Sequence, residues 1–169
     1  MWLILGMSET PTPAWLQRQN DAFMAAQVAK QERELAEITI KTGGSQYWSD
    51  LMSELKTVAA HVPPSLIGKF QHSNFAVSRH EDHCRLEIAF LGIPYRASYA
   101  DLWYRIDDKK IRCRKPLTND EFALQLCVVE GRVCAVTEGH IEPMDAEAAA
   151  ELLAEPMIQH AMNGAIVSA

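Results

Sequence analysis

The feature that most constrains this chain is the stretch of residues 121–139, which reads EFALQLCVVEGRVCAVTEG. Two apolar runs rich in β-branched residues flank Glu130-Gly131, and a glycine between two such runs is typical of a β-hairpin. A two-residue turn there pairs Val129 with Arg132, Val128 with Val133 and Leu126 with Ala135. A three-residue loop would shift the pairing by one and place charged side chains opposite the apolar face. We therefore predict the two-residue turn.

The apolar face of this hairpin is predicted to belong to the core. Burying Phe122, Leu124, Leu126 and Val128 contributes roughly 2 kcal/mol each. In the predicted register Cys127 lies directly opposite Cys134 on the other face. Since no export signal is visible in the sequence, we predict free thiols and no disulfide.

Length, charge and the first residues bound the class of protein. The 169 residues carry a net charge of −6, which argues against bulk attraction to nucleic acid or anionic lipid but not against a local basic patch. Met1–Leu5 is too short to span a membrane, and no basic residue precedes it. We expect a cytoplasmic protein with a flexible segment at residues 1–12 and a single α+β domain at residues 13–164.

Two N-terminal helices are predicted. The first runs from about Pro13 to Thr39, Gly43-Gly44 breaks it, and the second runs from about Gln46 to His61. The first helix carries a thin apolar stripe that consists of Trp15, Leu16, Phe23, Met24, Val28, Leu35 and Ile38. Such a stripe fits a helix packed on its own sheet or, as the alternative, a helix that meets a partner.

From Leu66 the apolar period changes to two, which predicts about six strands in consecutive hairpins. The first is expected near Phe75–Val77 and the third near Tyr95–Ile106. A last helix follows, capped by Asp145, kinked or restarted at Pro156 and ended by Asn163-Gly164. We therefore predict an α+β fold in which the helices cover one face of an antiparallel meander.

The surface most suited to binding is the strand pair at residues 95–106 and 111–114. The predicted register sets Arg105 opposite Arg112 and Trp103 opposite Arg114. One face then carries the candidate binding residues Tyr99, Trp103, Arg105, Arg112 and Arg114. Arginine beside aromatic side chains suits an anionic ligand, a nucleic-acid strand or a protein hot spot. The alternative is a solvated face whose arginines are neutralised by Asp101, Glu87 and other carboxylates.

Metal-binding and catalytic chemistry have little support in the sequence. His80, Asp82, His83 and Cys84 are residue types that bind zinc, but a polar turn at Arg79–His83 with Cys84 directed inward is the preferred interpretation. No nucleophile elbow, phosphate-binding loop or zinc-protease motif occurs. We name no catalytic residue, no metal site and no cofactor, and an enzyme is the less favoured class.

The leading hypothesis is a non-enzymatic, soluble protein-binding or assembly module that forms a homodimer or binds another protein. A binder of nucleic acid or of a phosphorylated or anionic ligand, through the arginine and aromatic face, is the second. A small enzyme without identifiable catalytic residues is the third. Among partners, a protein or a second copy ranks first and nucleic acid or an anionic ligand second, and no membrane contact is expected.

Overall fold

The structure is a computed structural model that describes residues 13–74, 81–92, 98–105, 108–115, 117–118 and 120–166. The chain divides into two compact units, one ending at Leu35 and the other beginning at Ala36. In the parts of the chain that the structure describes, no helix is long and apolar enough to cross a membrane.

The first element is one continuous helix, α1, at Ala14–His61, so the predicted break at Gly43-Gly44 is wrong. The reason is packing. A Cβ atom on Gly43 would lie 2.8 Å from Val133 Cγ2, and one on Gly44 would lie 2.5 Å from the Tyr104 hydroxyl oxygen. The two glycines therefore let the helix approach the sheet closely, and this contact outweighs their low helix propensity of about 1 kcal/mol each.

The sheet has seven strands in sequence order, and every neighbouring pair is antiparallel. The elements after α1 are β1 Leu66–Asn74, β2 Glu81–Phe90, β3 Ser98–Arg105, β4 Lys110–Arg114, β5 Glu121–Val129, β6 Arg132–Thr137, β7 His140–Met144 and α2 Ala146–Ile166. The predicted α+β class and antiparallel meander are confirmed.

The sheet differs from the prediction in the position of its first strand and in having one additional strand at its other end. The first strand is β1 at Leu66–Asn74, and the strand expected near Phe75–Val77 lies outside the described residues. The additional strand is β7, which contains Pro143. An edge strand tolerates proline because its outward N–H has no ladder partner to lose.

The core lies between one face of the sheet and the two helices of the unit that begins at Ala36. Leu51 and Leu55 from α1 and Leu153 and Met157 from α2 are buried there. The strands contribute their alternate side chains, namely Cys84, Leu86, Ile88, Ala100, Leu102, Tyr104, Ile111, Cys113, Leu124, Leu126 and Ala135. The opposite face of β2–β4 carries charged side chains together with Tyr99 and Trp103.

The predicted register of the central hairpin is confirmed. Val129 pairs with Arg132, Leu126 with Ala135 and Cys127 with Cys134. Glu130 and Gly131 both have positive φ, at 50° and 76°, as a two-residue primed turn requires. All of the cysteines are free thiols.

The last helix is capped as predicted but continues further. Asp145 Oδ1 accepts a hydrogen bond from the Ala148 backbone N–H at 2.9 Å. Helix α2 continues through Pro156 and past Asn163-Gly164 to Ile166, so neither position ends it. The Tyr47 hydroxyl donates toward the carbonyls of Met144 and Asp145, at 3.4 and 3.3 Å, and so ties α1 to the start of α2.

Candidate functional site

The five predicted binding residues lie on one face of the sheet, opposite the core. Tyr99, Trp103 and Arg105 alternate along β3 with core side chains, and Arg112 and Arg114 do the same along β4. We call this the arginine–aromatic face, and it includes the neighbouring side chains of β2 described below.

The predicted register between β3 and β4 is wrong by two residues. Trp103 pairs with Arg112, not with Arg114, and Tyr104 pairs with Ile111. The connection starts earlier than expected because the Arg105 carbonyl already accepts a hydrogen bond from the Asp108 N–H at 2.9 Å. A shift of two residues leaves each side chain on its own face, so the composition of the face is unchanged.

Asp101 lies at the centre of the arginine–aromatic face and is almost fully buried, with 1% of its surface exposed. Arg85 donates two hydrogen bonds to it, from Nε to Oδ1 at 2.7 Å and from Nη2 to Oδ2 at 2.8 Å. His83 Nε2 lies 3.1 Å from Oδ1, and Arg114 Nη1 lies 3.5 Å from Oδ2. Three basic side chains from two strands therefore converge on one carboxylate.

This arrangement sets the ionisation of Asp101. Burial raises the pKa of Asp101, but the hydrogen bonds from Arg85 and His83 lower it more, so the pKa lies below its usual range. The same hydrogen bond raises the pKa of Arg85. Asp101 is therefore a carboxylate at neutral pH and holds the surrounding cations in place.

An aromatic layer lies over this ionic centre. The Arg85 guanidinium lies 4.8 Å from the centroid of the Tyr99 ring, and the Arg114 guanidinium lies 5.5 Å from that of Trp103. His83 stacks on Trp103 with centroids 5.3 Å apart and rings inclined by 28°. Trp103 therefore makes a cation–π contact with Arg114, although the two residues are not directly opposed.

The outer part of the face is more accessible. Arg112 forms an ion pair with Glu81, and about half of its side chain is exposed. Arg105 is also exposed. Arg114 lies within ion-pair distance of Asp101, whose carboxylate Arg85 also contacts. The guanidinium and aromatic groups near Asp101 therefore contact one another without any ligand.

Sequence reasoning missed the role of His83, Arg85 and Glu81 in this face. Arg85 and His83 alternate with Cys84 and Leu86 in β2, so the period of two already places both on the outer side. The missing information was the register of β2 against β3, which sets Arg85 opposite Asp101 and His83 opposite Trp103. The local sequence pattern does not define where β2 ends and β3 begins, so it does not define this register.

Two of the residues considered for zinc, His83 and Cys84, lie on opposite faces of β2. The predicted turn at Arg79–His83 is wrong in part, because β2 already begins at Glu81. Cys84 is buried in the core, where burial raises its pKa to about 12, whereas His83 lies on the opposite face. His80 lies outside the described residues. Within the described ranges no group of three or more potential ligands could hold a metal ion.

A second surface lies on the unit that ends at Leu35. Every residue at positions 13–35 is exposed, including the large apolar side chains Trp15, Leu16, Phe23, Met24, Val28 and Leu35. Trp15 and Leu35 expose 61% and 66% of their surface. We call this set the α1 apolar stripe. Lys30 and Glu34 form an ion pair at 3.8 Å on the same helix.

Comparisons with known proteins supply no relative for this chain. No protein-family model, no curated protein and no solved structure matches it.

Proposed function

We propose that this chain is a non-enzymatic, cytoplasmic protein-binding or assembly module that associates through the α1 apolar stripe. The observation that carries the proposal is the exposure of six large apolar side chains within residues 15–35 of one helix. Large apolar side chains exposed in this number are costly in water, and exposed apolar surface marks sites of protein interaction. A helix with such a surface binds by laying it against another helix or into a groove.

The composition of this stripe supports association with protein. Its members include Trp15, Phe23 and Met24, residue types that are enriched in protein interfaces. The intervening charges are of both signs, with Arg18, Asp21 and the Lys30–Glu34 pair, so the helix has no strongly basic face for nucleic acid.

The double variant Met24→Lys, Val28→Lys tests this proposal. We expect wild-type protein to sediment as a dimer or to form a stable complex with a protein partner, and the variant to lose that association, because charge cannot be buried against apolar surface. The matched control is Ala25→Lys, Ala29→Lys, which adds the same charge one position further along and should keep the association. Analytical ultracentrifugation across a range of concentrations measures it. A wild type that stays monomeric and binds no partner would contradict the proposal.

The second candidate function is binding of an anionic ligand or a single nucleic-acid strand on the arginine–aromatic face. The observation that favours it is the layer of Tyr99 and Trp103 with Arg85 and Arg114 fixed beside the rings. Stacking on aromatic rings and guanidinium–phosphate contacts together hold single strands.

Binding of a fluorescent single-stranded oligonucleotide tests this second candidate. We expect affinity to fall with salt and to fall about tenfold in Arg112→Ala, the loss of one charge-assisted contact. Arg114→Ala should weaken binding as well. Arg33→Ala on α1 serves as the control, because it removes one positive charge at a position outside the arginine–aromatic face. Affinity that is equal in all of these proteins would exclude this site.

A further inference from the structure

A cavity of about 560 Å³ opens between α2, the start of β5 and the end of β6. It lies beside the first residues of β5, which pair with β4 but not with β6. The β4–β5 ladder runs from Glu121 to Gln125, whereas the β5–β6 ladder begins only at Gln125. The Thr137 hydroxyl donates a hydrogen bond to the Ala123 carbonyl at 3.1 Å, beyond the end of the β5–β6 ladder. The volume is in the usual range for small-molecule sites.

Three further irregularities of the backbone meet at this cavity. The β6–β7 register shifts between Ala135 and Thr137, and Thr137 lines the cavity. Leu117, also in the lining, has a φ of 85°, a left-handed conformation that is unfavourable for a leucine. Bulges and strained residues of this kind cluster at functional sites, where they direct groups toward a ligand.

The third irregularity is Pro156 in the interior of α2. Proline has no N–H, so the Leu152 carbonyl loses the donor that the helix would otherwise supply four residues later. Leu152 and Pro156 both line the cavity. At a residue of the cavity lining, the helix therefore has a carbonyl that receives no hydrogen bond from the residue four positions later.

The lining is complementary to a particular class of ligand. Phe122 and Leu153 form an apolar wall, together with Leu152 and Pro156. The ionisable groups of the lining are the acids Glu121 and Glu138 and the single base Lys115, so acceptors and negative charge predominate. A ligand with an apolar body and a protonated amine would contact both the apolar wall and the acidic groups. We infer that this cavity binds a small amphipathic ammonium compound, with the amine directed to Glu138 and the Leu152 carbonyl.

Amide-resolved NMR titration of the full chain tests the inference with three probes of equal chain length, hexylammonium, hexanoate and hexanol. We expect hexylammonium to give saturable shifts at the amides of Phe122, Ala123 and Leu153. Its Kd should be about tenfold lower than that of hexanoate, the difference that one charge-assisted hydrogen bond makes. Glu138→Gln should remove most of that difference.

The matched control is Glu130→Gln, which removes an exposed acid at the other end of the same hairpin and should leave the Kd of hexylammonium unchanged. Phe122→Ala removes part of the apolar wall and should weaken binding of all three probes, with the amide spectrum reporting that the chain stays folded. Equal affinity for hexylammonium and hexanoate would refute the ligand class. The absence of saturable shifts at these amides with every probe would refute the site.

Discussion

Asp101 shows how one buried acid organises many neighbours. It accepts two hydrogen bonds from Arg85 and lies within reach of His83 and Arg114. A carboxylate with 1% exposure has left water, and these partners replace its hydration. Its removal would leave cations without their counter-charge in a partly buried layer, which costs more than the loss of an exposed ion pair.

We therefore predict that Asp101→Asn lowers the free energy of unfolding by about 2 kcal/mol at neutral pH. The substitution keeps the shape of the side chain but removes the charge that Arg85 and Arg114 contact. Urea denaturation of both proteins measures the difference. Glu87→Gln, which changes an acid of the neighbouring strand, is the control and should stay within about 0.5 kcal/mol of wild type.

The pH dependence of that difference has a defined sign. Because the folded-state pKa of Asp101 lies below its unfolded value, the stabilisation is complete above about pH 4 and is lost as pH falls through the folded-state pKa. The gap between wild type and Asp101→Asn should therefore narrow below about pH 4. A gap that stays constant down to the acid transition would contradict the ionic role of Asp101.

At the scale of the elements, the Gly43-Gly44 contact explains why α1 is one helix. Tyr104, whose hydroxyl group faces Gly44, is buried and stacks on Trp48 with centroids 5.6 Å apart. The ring therefore cannot move aside easily. A similar close approach occurs at Gly68 of β1, where an added Cβ would overlap the backbone of Ala59. Small residues set the distance between α1 and the sheet at both places.

The prediction at this scale is that Gly44→Ala destabilises the protein by about 1–3 kcal/mol, as overpacking does. In an isolated helix the same change would stabilise the helix by about 1 kcal/mol. The sign of the change in protein stability therefore distinguishes overpacking from helix propensity. Ser45→Ala, at the exposed neighbouring position, is the control and should be neutral or slightly stabilising. Thermal unfolding followed by circular dichroism compares the three proteins. A Gly44→Ala variant more stable than wild type would show that the close contact relaxes freely.

For the whole molecule, the part of the fold that depends on local pattern was predictable from the sequence. The charges on Arg132 and Glu138 were sufficient to select the register of the central hairpin, and alternation along β2 identified its buried face. The continuity of α1 was not predictable, because Gly43 and Gly44 are helix breakers unless Val133 and Tyr104 lie against them. That contact joins residues distant in sequence.

The arginine–aromatic face was predictable in membership but not in organisation. Period-two alternation places Trp103 and Arg112 on the same side of the sheet in any register that differs from the observed one by an even number of residues. The pairing of Arg85 with Asp101 depends on how β2 aligns with β3, which local pattern does not define. The cavity beside α2 likewise depends on where the β5–β6 ladder begins, a tertiary property with no signature in the sequence.

The order of the strands also bears on how the chain reaches its native state. Each strand of the sheet pairs with the strand next to it in sequence. The loops that must close are therefore short, and the entropy lost in closing each of them is small. The sheet can grow hairpin by hairpin, as low contact order favours. The packing of α2 against β2 and β3 joins parts of the chain that are far apart in sequence and therefore closes the longer loops.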